Sequence, residues 1–145
     1  MLYFLIAAGV LVLDQITKYL VRAGFVLYES KAIIENVFHL TYIENPGAAF
    51  GMLADKKWFF IIATSLIMIF IIYFMISIEK DEPKANIFLA MALGGAAGNF
   101  IDRLMKGTVT DFFDFIIWPV FNIADSFIVV GMIAASFYII KGEKR

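Results

Sequence analysis

The chain has 145 residues, 62% hydrophobic and only 17% charged, with a formal net charge of −1. Soluble domains run at about 45–50% apolar residues, so a mean hydropathy of +0.86 identifies one integral membrane domain over 1–145 with no basic footing for nucleic acid. The absence of cysteine excludes disulfides, thiolate metal sites and cysteine nucleophiles, and a single histidine, His39, argues against multi-histidine zinc sites and a Ser-His triad.

Four stretches are long enough to span a bilayer core of about 30 Å. The first covers about 2–21; it has neither a basic leader nor a small-residue cleavage site and reads as a retained helix. It is apolar up to Leu13 and then carries Asp14 and Lys18, which can pair at i, i+4. The segment of about 23–57 is the largest outside the spans. Within it VFHLTYIE (37–44) alternates as a strand does, with Phe38, Leu40 and Tyr42 on one face. Asn45-Pro46-Gly47 then signals a turn, and AAFGMLAD (48–55) has the pattern of one or two amphipathic helical turns.

The second span, 58–78, is uncharged throughout, and Ser65, Ser77 and Thr64 in it are expected to bond back to their own helix carbonyls. The third, 85–104, carries a small-residue stripe, Ala90, Gly94 and Gly98, suited to close helix approach. Toward its end Asn99 shares a face with Asp102 and Arg103, whose simplest reading is an ion pair or an interfacial anchor. TVTDF (108–112) has the β-branched alternation of a short strand and sets Asp111 near the membrane surface, with Asp114 close by. The fourth span, 119–140, places Asn122 and Asp125 on one face, with Asp125 one to two turns in from Pro119.

Three of the four spans thus carry a carboxylate, and the second carries none. That points to a polar site shared by the first, third and fourth helices. Lys/Arg counts on the two sides are balanced and leave the orientation open. Two carboxylates converging in a low dielectric share a proton, one serving as base toward water and the other as acid. Asp111 and Asp125 are the candidates, and this chemistry needs no His, Cys or metal. A proton- or cation-conducting transporter is the rival reading; a metal-dependent variant would use Asp102, Asp111 and Asp125 as Mg²⁺ ligands.

DQITK (14–18), NPGAAF (45–50), GGAAGNFIDR (94–103), GTVTDF (107–112) and FNIAD (121–125) together resemble the lipoprotein signal peptidase, or signal peptidase II, family. The resemblance implies four transmembrane helices with both termini cytoplasmic, a small extracytoplasmic β-sheet cradle and a short amphipathic helix. It implies an aspartyl endopeptidase of the bacterial inner membrane that cuts diacylglyceryl-modified prolipoproteins before the lipidated cysteine. Asp111 and Asp125 correspond to the catalytic pair. Asp14, Asn45, Asn99, Arg103 and Asn122 are expected to line the site or hold substrate, and Asp102, Gly47 and Ala124 to orient their neighbours. Membrane lipid and prolipoprotein are the expected partners, with no cofactor or metal, and the chain is expected to act as a monomer.

Overall fold

A computed structural model of the protein describes residues 1–47, 56–78 and 83–142. In chain order these form α1 (Leu2–Gly24), β1 (Ser30–Ile34), β2 (Phe38–Asn45), α2 (Lys57–Ile78), α3 (Pro83–Lys106), β3 (Val109–Asp114) and α4 (Ile123–Gly142). All four helices are long and apolar enough to cross a membrane. At 1.5 Å per residue the 22 residues of α2 reach about 33 Å. The expected turns at 48–55 lie outside the described residues.

Packing follows membrane logic rather than that of a soluble core. The least hydropathic helix, α3, is the most buried, while α2, the most hydropathic, is largely exposed. Lipid tails are as apolar as leucine, so bulky side chains gain little by turning inward, and small residues that let backbones approach occupy the interior. α3 accordingly packs against α1, α2 and α4, and Ala90, Gly94 and Gly98 form the stripe anticipated from their spacing. A β-carbon on Gly98 would collide with the Asp14 carboxyl of α1, and one on Gly95 would lie 2.5 Å from the Ala124 carbonyl of α4. Ile62, Leu66, Ile69 and Phe70 of α2 remain exposed, as a lipid-facing surface requires. Ser65 and Ser77 return their hydroxyls to the Ile61 and Tyr73 carbonyls, as expected for hydroxyls within a span.

The three strands make one antiparallel sheet in the order β1-β2-β3. β1 has no counterpart in the sequence reading, because SKAII is exposed along its whole length and lacks alternation. After β3 the chain loops back so that Phe121 O accepts the N–H groups of Phe112 and Phe113, and Phe121 N–H returns to Phe113 O. α4 therefore starts at Ile123, not at Pro119, and Asp125 lies in its first turn. Asn122 caps the helix: its Oδ1 accepts Asp125 N–H at 2.9 Å while Asp125 Oδ2 accepts Asn122 N–H at 3.3 Å. This reciprocal pairing satisfies donors that a helix start leaves free, and it replaces a turn of helix with the Phe121 bridge.

Candidate active site

The carboxyl groups of Asp111 and Asp125 meet because two different elements end at one place. β3 carries Asp111 opposite Ile43 of β2, and Asn45, at the end of β2, donates from Nδ2 to Asp111 Oδ2 at 3.0 Å. Asn122 Nδ2 donates to Asp111 Oδ1 at 2.5 Å, while its cap exchange holds Asp125. One amide thus ties the two acids together. From α3, Asn99 Nδ2 reaches Asp125 Oδ1 at 2.7 Å. Both acids line a cavity of about 220 Å³ with Asn45, Asn99, Arg103 and the Trp118–Phe121 segment.

Electrostatics in this cavity favour one shared proton. Burial, and then the charge of neighbouring Asp125, push the Asp111 carboxyl up to about 7, against the donors from Asn45 and Asn122. Arg103 supplies positive charge at the rim. Its guanidinium lies 4.8 Å from the Phe60 ring centroid and donates from Nη2 to Gly47 O at 3.5 Å. Gly47 is itself fixed by an Asx turn, its N–H donating to Asn45 Oδ1 at 3.0 Å.

Behind the cavity stands a buried ion cluster. Lys18 Nζ lies 2.8 Å from Asp14 Oδ2, 3.2 Å from Asp102 Oδ2 and 2.8 Å from Asn99 Oδ1. Asp14, expected to line the site or hold substrate, is wholly buried, and its Oδ1 accepts Ala124 N–H at 3.0 Å, docking the start of α4 on α1. Asp102 pairs with Lys18 rather than with Arg103, and its Oδ2 also accepts Thr110 N–H at 3.2 Å, holding the residue next to Asp111. Asp102 and the fully buried Ala124 lie behind the cavity, whereas Gly47 reaches its lining.

Lys18 is the group that the sequence reading assigned only to a local pair with Asp14. The signal was there, since a second buried carboxylate, Asp102, needed a counter-charge at the same depth. Glu44 was missed altogether. It accepts from Thr108 Oγ1 at 2.6 Å, Thr110 Oγ1 at 2.9 Å and Lys106 Nζ at 3.1 Å, stitching β2 to β3 beside Asp111. Burial pushes its carboxyl up, but these donors together outweigh that and hold it below the usual carboxylate range.

The arrangement disfavours the rival readings. Apart from Asn86, which donates to the Met75 carbonyl, the buried polar groups gather at one end of the bundle, and the other half is filled by Ile71, Leu89, Ala92 and Ala135, so among the described residues no continuous polar path crosses it. Asp102, the third carboxylate of the metal-dependent reading, is committed to Lys18 and Thr110.

The family model described as signal peptidase (SPase) II matches residues 6–141. A lipoprotein signal peptidase of Caldanaerobacter subterraneus subsp. tengcongensis is 51% identical over 142 residues, 97% of each chain. One from Brevibacillus brevis is 48% identical over 134 residues, covering 91% of this chain and 90% of the relative. A bacterial membrane enzyme solved by the in meso method superposes with a TM-score of 0.85 at 36% identity, over 96% of this chain and 87% of that one. With matches along nearly its whole length in both sequence and fold, the chain belongs to the signal peptidase II family.

Proposed function

We propose that the protein is an aspartyl endopeptidase of the bacterial inner membrane that removes signal peptides from diacylglyceryl-modified prolipoproteins, cutting before the lipidated cysteine. The observation that carries this is the pair Asp111–Asp125, bridged by Asn122 and facing one cavity at the end of the bundle. Asp125 takes a proton from a water molecule, whose oxygen attacks the scissile carbonyl carbon. Asp111, which burial keeps protonated up to about pH 7, donates to the carbonyl oxygen as it becomes tetrahedral. As that gem-diol collapses, one of its hydroxyls returns a proton to Asp111, the C–N bond breaks, and the proton gained by Asp125 passes to the leaving amine. Asn45, Asn99 and Arg103 hold the peptide across the cavity. Asn122 keeps the two acids in register.

Both termini are cytoplasmic in this reading, and the sheet and cavity face outward. The site is complete within one chain, which acts as a monomer while the substrate's acyl chains stay in the bilayer. The test is lipid dependence. Purified protein in detergent is given a prolipoprotein peptide carrying either a diacylglyceryl group or a short thioether on its cysteine. Loss of most turnover with the short thioether is expected; equal turnover on both would refute recognition of a lipid-anchored cysteine.

A further inference from the structure

We propose that the first half of the connection from β3 to α4, Phe115–Trp118, is immersed in the acyl-carbonyl zone of the lipid leaflet and forms the side of the aspartyl cavity that opens toward the bilayer. The loop holds an unusual turn. Ile117 N–H donates to Phe115 O at 2.6 Å across Ile116, whose φ is +66°. That is a γ-turn of the strained hand, on a β-branched residue for which positive φ is a true outlier. The sheet imposes it. Asp114 accepts Ile116 N–H on Oδ1 at 2.8 Å and Thr41 Oγ1 on Oδ2 at 2.7 Å. Phe115 is clamped between Phe38 and Phe121, at 4.9 and 5.9 Å between ring centroids.

What the strain achieves is display. Ile116 is 51% exposed, Trp118 65% and Ile117 94%. Water would be a poor solvent for such a tip, and its level says what covers it. The 20 residues of α4 span about 30 Å, the thickness of the hydrocarbon core, and the loop precedes them by only the four residues Pro119–Asn122. The chain's other tryptophan, Trp58, stands exposed at the start of α2, at the same end of the bundle. Exposed tryptophans at one end of a bundle mark a membrane interface, and farther along the helices Ile62 and Leu66 of α2 and Val129 and Ile133 of α4 continue the apolar surface. Trp118 and Pro119–Phe121 also line the cavity beside Asp111 and Asp125, so a single layer of chain separates lipid from the acids. For the substrate, a consequence that rests on the peptidase reading, the loop lets the cysteine sulfur reach the cavity while the acyl chains remain in hydrocarbon.

The experiment uses the full chain with Trp58→Phe, which leaves Trp118 as the sole tryptophan, in phosphatidylcholine vesicles brominated at shallow or deep acyl positions. Strong quenching by shallow bromines, weaker quenching by deep ones and little by aqueous acrylamide are expected. Quenching by acrylamide with none from bromolipid overturns the proposal, as does shielding that appears only at high protein-to-lipid ratio, which would assign the loop to a second copy of the chain. This readout needs no catalysis, so it stands apart from the peptidase reading. A second arm uses Ile117→Asp, a site with almost no packing to lose. KM for the diacylglyceryl substrate in vesicles should rise roughly tenfold, about the change expected when one aliphatic side chain no longer transfers from water, with kcat retained. An unchanged KM would overturn the loop's part in substrate access.

Discussion

Lys18 Nζ donates to Asn99 Oδ1 over 2.8 Å, with neither residue more than 5% exposed. An ammonium can only donate, so it fixes which end of the Asn99 amide faces it. The opposite end, Nδ2, must then point at Asp125. A charge on α1 thereby sets the orientation of a donor on α3 toward an acid on α4. Lys18→Met would leave Asp14 and Asp102 buried without their counter-charge, at a cost of roughly 3–5 kcal/mol. A large drop in thermal stability and loss of turnover are expected, with stability partly regained in Lys18→Met/Asp102→Asn. Wild-type stability in Lys18→Met would contradict the cluster's role.

Two glycine substitutions should separate packing from helix propensity. In Gly98→Ala the new methyl meets Asp14, with Cγ at only 2.9 Å, so α1 and α3 must part. Destabilisation of about 3 kcal/mol or more is expected, with cleavage activity lost as Asp14 leaves Ala124. Gly9→Ala, with nothing within 4 Å of the added carbon, should be neutral or stabilising by up to about 1 kcal/mol. Unfolding curves in detergent for both variants check the contrast.

The Asp111 carboxyl stands at about 7 against an ordinary 3.8. Between those values the folded state holds more protons than the unfolded one, so Asp111's contribution to stability is full below about pH 4. It is lost as the pH rises through about 7, with a ceiling of about 4 kcal/mol. Wild type minus Asp111→Asn, followed by thermal unfolding from pH 4 to 8, should show that downward slope. Turnover should fall about tenfold per pH unit above the same midpoint as the shared proton is lost. A pH-independent difference between the two proteins would contradict a protonated Asp111.

Because the chain has no cysteine, one introduced thiol reports orientation. Lys31→Cys lies on exposed β1, at the end of the bundle opposite the termini. Intact cells treated with a membrane-impermeant maleimide should label it. Labelling only after the membrane is opened would invert the orientation proposed above.

How much of this was legible from sequence differs by element. The spans and the strand at 37–44, found at Phe38–Asn45, followed from hydropathy and alternation, because a bilayer imposes length and polarity directly. The start of α4 was misplaced by four residues. The Asn122–Asp125 cap is a readable signal, but apolar content carried the span back to Pro119. The roles of Lys18 and Asp14 depend on which faces of α1, α3 and α4 meet. That geometry is set by Gly94, Gly95 and Gly98 against partners about 85 or 30 positions away along the chain, and no local pattern encodes it. β1 was invisible because an exposed edge strand needs no alternation.

The most direct test of the account is cleavage of a diacylglyceryl-modified prolipoprotein by the purified protein in detergent, with chelator present. Asp111→Asn and Asp125→Asn are run beside wild type, with folding checked for each. The account predicts that wild type cleaves and that each variant, though folded, loses about 10³-fold or more in turnover. Near-normal cleavage by either folded variant, or wild-type activity that appears only on adding Mg²⁺, would contradict a metal-free pair of aspartates.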